Sequence, residues 1–276
     1  MTSGGSKNHE RDDQFLTRFE QSVFRGHYRD YYETKQRNFF ATIQNFRSLW
    51  ESFYALDNIW MREIDDIGKV RDPNQTLPIL LFLNAHNKFR IAWELVFSCR
   101  IGEAWDTTRG AIESAAHADK ILREPDKARI WLSRDDGPAE KEAFDNAFWH
   151  RKRTNLFPSE RGFDELYEYY AHYSDWGTHT NLASVAPRVK TAHTETEYNW
   201  QFQYFEIDPA KLAKSIYSVL VVSSEIEKVF FNAFRTRLQF DVQLARMRGD
   251  FQRQKKRLAN EIIARFNVER PSVFPK

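Results

Sequence analysis

Apolar residues between Arg37 and Val70 recur at steps of three and four, and this period constrains the fold more than any other feature of the chain. The recurring residues are Phe39, Phe40, Ile43, Phe46, Leu49, Trp50, Phe53, Leu56, Ile59, Trp60, Ile64 and Ile67. Such spacing places apolar side chains along one side of an α-helix, which must then be buried against other elements. The sequence therefore predicts one long amphipathic helix, ended by the turn residues of RDPNQTLP.

Several further segments show the same helical period. The segment Ile79–Arg100 is apolar on most faces, so we expect a central helix that starts near Pro78 and is capped by Gly102. Further helices are predicted at about 14–24, 103–122, 126–133, 139–150, 163–176 and 209–266, with 235–268 as a candidate extended carboxy-terminal helix. With only 10 Gly and 9 Pro, the chain has little of the punctuation that a many-stranded sheet needs.

The segment from Thr178 to about Asp208 differs from the rest, because it contains Pro187, many Thr residues and alternating aromatics in YNWQFQYFEI. Such alternation is typical of a strand. We therefore predict an all-α fold, a bundle of long antiparallel helices with one loop-rich or small β-hairpin insertion at about 178–208. Residues 13–276 are expected to form a single helical domain after a disordered leader at 1–12.

Charge and cysteine content restrict the classes of function. The 41 basic and 39 acidic residues give a formal charge of +2, which provides no overall field for nucleic acid or for a membrane surface. The single Cys99 excludes an internal disulfide and fits a reducing compartment, and its apolar neighbours predict a buried structural thiol. The longest apolar runs are too short to span a bilayer. These features predict a cytoplasmic protein without a membrane partner.

Two predicted helices carry the same polar residue types at steps of four. One has Arg109, Glu113 and His117, and the other has the set His86, Arg90 and Glu94. Four residues turn a helix by about 400°, so each set forms one stripe. Since only a short turn separates the helices, they should pack antiparallel. We expect Arg90 or Glu94 to lie against Glu113 or Arg109.

A third group of polar residues, in EYYAHYSDWGTHTN, follows at a predicted helix end. If it converges on the two stripes, the result is a pocket for a small polar or anionic ligand such as a nucleotide. The candidate ligand-binding residues are Arg109, Glu113, His179, Ser174, Arg90 and Glu94. The alternative is a ladder of ion pairs in a structural or assembly protein without a site.

The spacing of Glu and His residues indicates whether the helices could bind a metal. Both ESAAH, at Glu113–His117, and EYYAH, at Glu168–His172, have Glu and His four residues apart. Helical bundles with di-iron centres use a spacing of three. We therefore predict neither a metal site nor a cofactor.

A segment with an apolar line predicts an amphipathic helix with a positive outer face. Its eight basic residues are Arg235, Arg237, Arg246, Arg248, Arg253, Lys255, Lys256 and Arg257. Its outer face could bind phosphate backbones through Arg246, Arg253 and Lys256. The other interpretation is a solvated face of a terminal helix.

The stretches WDTTRGAIESAAHADKILREP and YSDWGTHTN carry a resemblance to a known group. The chain resembles uncharacterised bacterial helical proteins that are distantly similar to the HEPN-type bundles of toxin and phage-defence systems. This resemblance implies a site at Arg109, Glu113, Ser174 and His179, and an alternative function as a dimeric protein that binds or cleaves nucleic acid. HEPN ribonucleases place an Arg and a His four to six residues apart on a helix. The matching RVKTAH, at Arg188–His193, lies in the predicted non-helical insertion.

Overall fold

The computed structural model of the chain describes residues 23, 25–67, 69–148, 156–175, 186–193, 198–236, 238 and 241–267. These residues form nine α-helices: α1 (Gly26–Asn45), α2 (Arg47–Ile67), α3 (Pro73–Phe97), α4 (Ile101–Arg123), α5 (Lys127–Leu132), α6 (Pro138–Phe148), α7 (Asp164–Tyr173), α8 (Pro209–Phe234) and α9 (Val242–Phe266). One antiparallel sheet contains β1 (Val189–His193) and β2 (Tyr198–Phe202). The predicted fold class, a helical bundle with a small hairpin insertion, is confirmed. The predicted leader at 1–12 and the predicted first helix lie almost entirely outside the described residues.

The helix predicted over residues 37–70 is divided into α1 and α2 by a kink at Phe46. There the backbone leaves helical geometry, with φ −127° and ψ 42°. The hydrogen bonds continue through the kink, because the Phe46 amide donates to the Thr42 carbonyl at 2.9 Å. The Phe46 ring is buried and lies 6.3 Å from the ring of Phe266 in α9. A contact between such distant parts of the chain cannot be predicted from the spacing of apolar residues within one helix.

Helix α3 begins five residues earlier than predicted. Asp72 is its N-cap and accepts a hydrogen bond from the Asn74 amide at 3.0 Å, and Pro73 occupies the first turn. Proline suits this position because it has no N–H to leave unpaired. Pro78 therefore lies inside the helix, and its predicted place at the helix start is wrong.

The turn between α3 and α4 uses Cys99 where the sequence predicted a cap at Gly102. Cys99 has a φ of +63°, and the Arg100 amide donates to the Leu95 carbonyl at 2.9 Å. These are the features of a Schellman cap, which needs one residue in the left-handed region. Gly102 instead lies in the first turn of α4. The Cys99 thiol is buried, with Sγ 3.5 Å from Thr42 Oγ1, and burial raises its pKa.

Helices α3 and α4 pack against each other as an antiparallel pair along their length. Helix α8 packs across α2, α3 and α4, and α9 closes the bundle against α2 and α8. Helix α7 lies against α4 and α8, whereas α5 follows α4 and pairs with α6. Aromatic rings fill the centre, for example Phe53, which stacks with Phe89 at 5.7 Å and with Trp93 at 5.5 Å between centroids.

The hairpin is attached to the first turn of α4. Its register pairs Val189 with Phe202 and His193 with Tyr198. Arg188, just before β1, forms two hydrogen bonds of 3.4 Å with the Glu103 carboxylate. Residues 188 and 193 are thus separated by a strand and do not share a helix.

The carboxy-terminal helix is shorter than the predicted 235–268. Helix α9 starts at Val242, where Asp241 caps it by accepting a hydrogen bond from the Leu244 amide at 2.7 Å. In the part of the chain that the structure describes, no helix combines the length and apolar character needed to cross a membrane.

Helix α8 depends on a similar cap, and we expect Asp208→Ala to destabilise the fold. Asp208 Oδ1 accepts hydrogen bonds from the amides of Ala210, at 2.8 Å, and Lys211, at 3.2 Å. Loss of such a cap lowers the free energy of unfolding by about 1 kcal/mol. Urea denaturation of wild type and variant measures the difference. Asp208→Asn keeps the acceptor and should stay close to wild type, whereas equal losses in both variants would contradict a role for the cap.

Candidate functional site

Arg109 and Glu113 form a closed polar cluster with Tyr170 between α4 and α7. Arg109 Nη1 donates to Glu113 Oε1 at 3.3 Å and to Tyr170 Oη at 3.4 Å. Tyr170 Oη in turn donates to Glu113 Oε1 at 2.8 Å. Burial and the Glu113 charge raise the pKa of Tyr170 to about 12, so the hydroxyl stays protonated and remains a donor. The predicted stripe is therefore an ion pair fixed by a phenol from a neighbouring helix.

The predicted third group of residues is only partly described by the structure. The Ser174 hydroxyl donates to the carbonyl of Tyr170 at 2.8 Å, a bond within its own helix end. Burial lowers the pKa of His172, whose ring lies 5.7 Å from that of Trp105. His179 lies outside the described residues. Among the residues of this segment up to Asp175, Tyr170 contacts both Arg109 and Glu113. Sequence reasoning did not select Tyr170.

The second polar stripe faces α1 and α2, so its predicted pairing with α4 is wrong. Arg90 donates two hydrogen bonds of 2.8 Å to the Asp57 carboxylate, and His86 Nε2 lies 2.7 Å from Asp57 Oδ1. Glu94 pairs with Lys35 at 2.7 Å. Burial would raise the pKa of Asp57, but the hydrogen bonds from His86 and Arg90 outweigh it and lower the pKa to about 2. This stripe holds helices together.

Two residues that the sequence analysis did not select, Asn84 and Lys88, face α4 instead. Asn84 Nδ2 donates to Ser114 Oγ at 3.0 Å. Residues two apart on a helix are separated by about 200°, so Asn84 and Lys88 point away from His86 and Arg90. The one signal that could have found this face is Gly110, four residues before Ser114, since a glycine inside a helical pattern often marks a close approach.

An open groove of about 430 Å³ runs between α3, α4 and the α5–α6 segment. One end is polar and is formed by Asn84, Lys88, Gly110, Glu113 and Ser114. The other end is apolar and is formed by Leu77, Leu80, Leu81, Trp131, Leu132 and Phe144. Its volume falls within the range of small-molecule sites, so this groove is the candidate functional site.

Lys88 has an unusual position at the polar end. Its side chain lies across Gly110, where an added Cβ would be 3.0 Å from Nζ and 3.3 Å from Cε. Lys88 is half-buried, yet within the described part of the chain its ammonium group makes no hydrogen bond or ion pair. Charges that are buried inside a protein are normally paired. The groove thus offers an ammonium group without a counter-charge.

His117 and Arg134 form the wall between α4 and the α5–α6 segment. His117 Nδ1 accepts a hydrogen bond from Trp131 Nε1 at 3.3 Å. Burial and the nearby Arg134 charge lower the pKa of His117 to about 4, despite an opposing backbone hydrogen bond at Phe148. The imidazole is therefore neutral at pH 7. The Arg134 guanidinium lies 4.7 Å from the centroid of the Phe144 ring.

Helix α9 turns part of its basic residues inward. Arg248, expected on an outer face, binds the buried carboxylates of Glu63 and Glu227, with a distance of 2.8 Å from Nη1 to Glu63 Oε1. Lys255 likewise donates to Ser224 Oγ at 2.9 Å. The prediction of an outward position is wrong for both, because the apolar line of α9 places them beside α2 and α8.

The three predicted nucleic-acid contacts, Arg246, Arg253 and Lys256, do lie on the exposed face of α9. Arg253 pairs there with Asp250. Among the described residues, no group of three or more His, Cys, Asp or Glu side chains is placed to hold a metal ion.

Glu63 and Glu227 form a buried carboxylate pair that sequence reasoning missed. Their side chains are 0% and 3% exposed, and one arginine faces both of them. Burial and the charge of Glu227 raise the pKa of Glu63 well above its ordinary 4.5, and burial raises that of Glu227. The site therefore retains a proton at neutral pH, which leaves one carboxylate charge opposite one guanidinium.

Because of this proton, the free energy of unfolding should decrease as the pH rises. Since the raised pKa belongs to the folded state, the stabilisation is complete below about pH 4.5 and is lost as the pH rises towards the folded pKa. We expect the free energy of unfolding of wild type to fall between about pH 5 and about pH 9, and Glu63→Gln to flatten this slope because an amide needs no proton. Denaturation at several pH values tests this, with Glu51→Gln on the exposed side of α2 as the control. Parallel slopes in wild type and Glu63→Gln would contradict the shared proton.

Stability should fall in the acidic range through His117. Its pKa is lower in the folded chain than the ordinary 6.5, so its stabilisation is present above 6.5 and is lost as the pH falls towards about 4. The loss amounts to about 3 kcal/mol at most. His117→Gln keeps an acceptor for Trp131 without a titrating ring. The variant should lose less stability than wild type between pH 7 and pH 4 in urea denaturation, and a loss equal to that of wild type would argue against a buried neutral imidazole.

Comparison with protein-family models, with curated proteins and with solved structures found no match to this chain. The resemblance to HEPN-type bundles therefore stays a prediction from short stretches of sequence. Since a fold alone does not determine a function, the function of this chain must be inferred from the groove and its side chains.

Proposed function

We propose that this chain is a cytoplasmic helical protein that binds a small organic anion in the groove between α3, α4 and the α5–α6 segment. The observation that carries the proposal is the ammonium group of Lys88, a half-buried residue that lines the groove and has no partner among the described residues. An anion placed there would supply the missing counter-charge in a partly desolvated site, where such a pair is stronger than in water.

The polar neighbours of Lys88 suit an anionic group. Asn84 and Ser114 are already oriented by their mutual hydrogen bond, and the second amide hydrogen of Asn84 is a further donor. The negative charge of Glu113 is compensated by Arg109 and by the Tyr170 hydroxyl, which both donate to it. In this proposal Arg109 positions Glu113 and does not itself contact the ligand.

The groove supports binding better than catalysis. Its histidine, His117, is neutral at pH 7 because its pKa is about 4, and its Nδ1 is occupied by the Trp131 N–H. General acid–base catalysis works best with a pKa near the operating pH. The proposal is therefore for binding without an assigned reaction.

The nucleic-acid alternative has less support. Two of the basic residues counted on α9, Arg248 and Lys255, are directed into the bundle, and Arg253 pairs with Asp250. A phosphate-binding surface gains affinity from several free cations that act together. The other alternative is a purely structural protein. It assigns no role to the groove or to the ammonium group of Lys88.

A thermal-shift screen with small anions tests the proposed function. The panel contains acetate, phosphate, AMP and a series of longer monocarboxylates. A ligand at a hundred times its Kd stabilises a fold by about 2.7 kcal/mol, which gives a measurable rise in Tm. We expect at least one anion to raise the Tm of wild type and to bind Lys88→Ala at least tenfold more weakly.

Two further variants sharpen this screen. Lys141→Ala removes an exposed lysine of α6 outside the groove and should bind like wild type. Gly110→Ala keeps the Lys88 charge but adds a Cβ where that side chain now lies, so it should weaken binding as well. If no anion raises the Tm, or if Lys88→Ala and wild type bind equally, the proposed function is wrong.

A further inference from the structure

The groove has a polarity gradient along its length. The contacts of Lys88 with Gly110 and of Asn84 with Ser114 show that α3 and α4 run in opposite directions beside it. Towards the start of α3 the lining becomes apolar, with Leu81, Leu80 and Leu77 in succession. A ligand that follows the groove away from Lys88 therefore moves into a mainly apolar environment, whose one charged lining residue among those described is Arg134.

The apolar end has room for an extended chain. Leu77 and Lys88 are eleven residues apart on one helix, a distance of about 16 Å along its axis. Leu80 on α3 is 55% exposed, and Leu132 on the opposite wall is 67% exposed. Large apolar side chains left in water on both edges of one groove gain by covering apolar ligand surface.

The cations of the groove are separated from each other. Lys88 lies at the polar end, whereas Arg134 lies at the other end, over the Phe144 ring and about half exposed to solvent. A polyphosphate would meet a single ammonium group at the polar end, because no other described residue that lines this end is a cation. A monocarboxylate matches this arrangement, because one negative charge needs one counter-charge and its second oxygen can accept from Asn84.

From this gradient we infer that the ligand is an unbranched acyl carboxylate of medium chain length. Its carboxylate lies between Lys88 and Asn84, and its chain extends past Leu81 and Leu80 towards Leu132. This inference rests on the proposed anion-binding function and narrows it to one chemical class.

Isothermal titration calorimetry on the full chain tests the inference, at ligand concentrations below micelle formation. The probes are acetate, hexanoate, octanoate, decanoate, decanol, decylamine, the ten-carbon α,ω-dicarboxylate and AMP. We expect affinity to rise steadily from acetate to decanoate, and decanol and decylamine to bind at least tenfold more weakly than decanoate. A dicarboxylate that binds more tightly than decanoate would overturn the apolar tail.

Two variants test the contacts of the two ligand ends independently. Lys88→Met keeps an apolar stem without the charge, so it should abolish the preference for decanoate over decanol. Leu80→Gln, at an exposed position, should reduce the gain from octanoate to decanoate and leave acetate unchanged. Lys141→Met, outside the groove, is the matched control and should behave like wild type. Unchanged chain-length dependence in Leu80→Gln would overturn the proposed path of the chain.

The outcomes distinguish this inference from the proposed function. If AMP or acetate binds through Lys88 and longer chains bring no gain, the inference fails and anion binding stands. If decanol and decanoate bind equally to wild type and Lys88→Met, the groove binds apolar molecules whatever their charge. The proposed anion-binding function and the acyl-carboxylate inference are then both wrong. If no probe binds, both fail as well.

Discussion

The turn at Cys99 fixes how α3 and α4 pair, and the other helices are arranged around that pair. A Schellman cap reverses the chain within a few residues, so α4 must return antiparallel along α3. The cap uses a cysteine at positive φ, a conformation that is costly for a residue with a Cβ. The buried thiol and its contact with Thr42 offset that strain, because they anchor the turn against α1.

Once the pair is fixed, α3 has two polar faces with different roles. His86 and Arg90 form short hydrogen bonds with Asp57 of α2. These bonds hold the α3–α4 pair against the rest of the bundle. Asn84 and Lys88, about half a turn away, lie along the seam with α4. The groove exists because α5 and α6 cover only part of that seam.

The sequence predicts the helices well and their facing partners poorly, for a physical reason. Periodicity records which residues are apolar within one helix, so α3, α4 and the hairpin could all be located from it. The kink at Phe46 and the inward turn of Arg248 depend on contacts with α9 or with α2 and α8, which no local pattern contains. The same holds for the groove. The His, Arg and Glu residues that recur at steps of four in α3 and α4 do not indicate that Lys88, and not Arg90, faces α4.

The fully buried charged side chains differ from Lys88 in having partners within the chain. Arg248 is matched by two carboxylates that retain a proton, and Asp57 is matched by Arg90 and His86. In each case desolvation is offset by a partner brought from another helix. Lys88 is half-buried beside a glycine, and the described residues supply it with no such partner. The buried carboxylates of Glu63, Asp119 and Glu227 are paired within the chain. The ammonium group of Lys88 lines a groove instead, where a counter-charge from outside the chain can reach it.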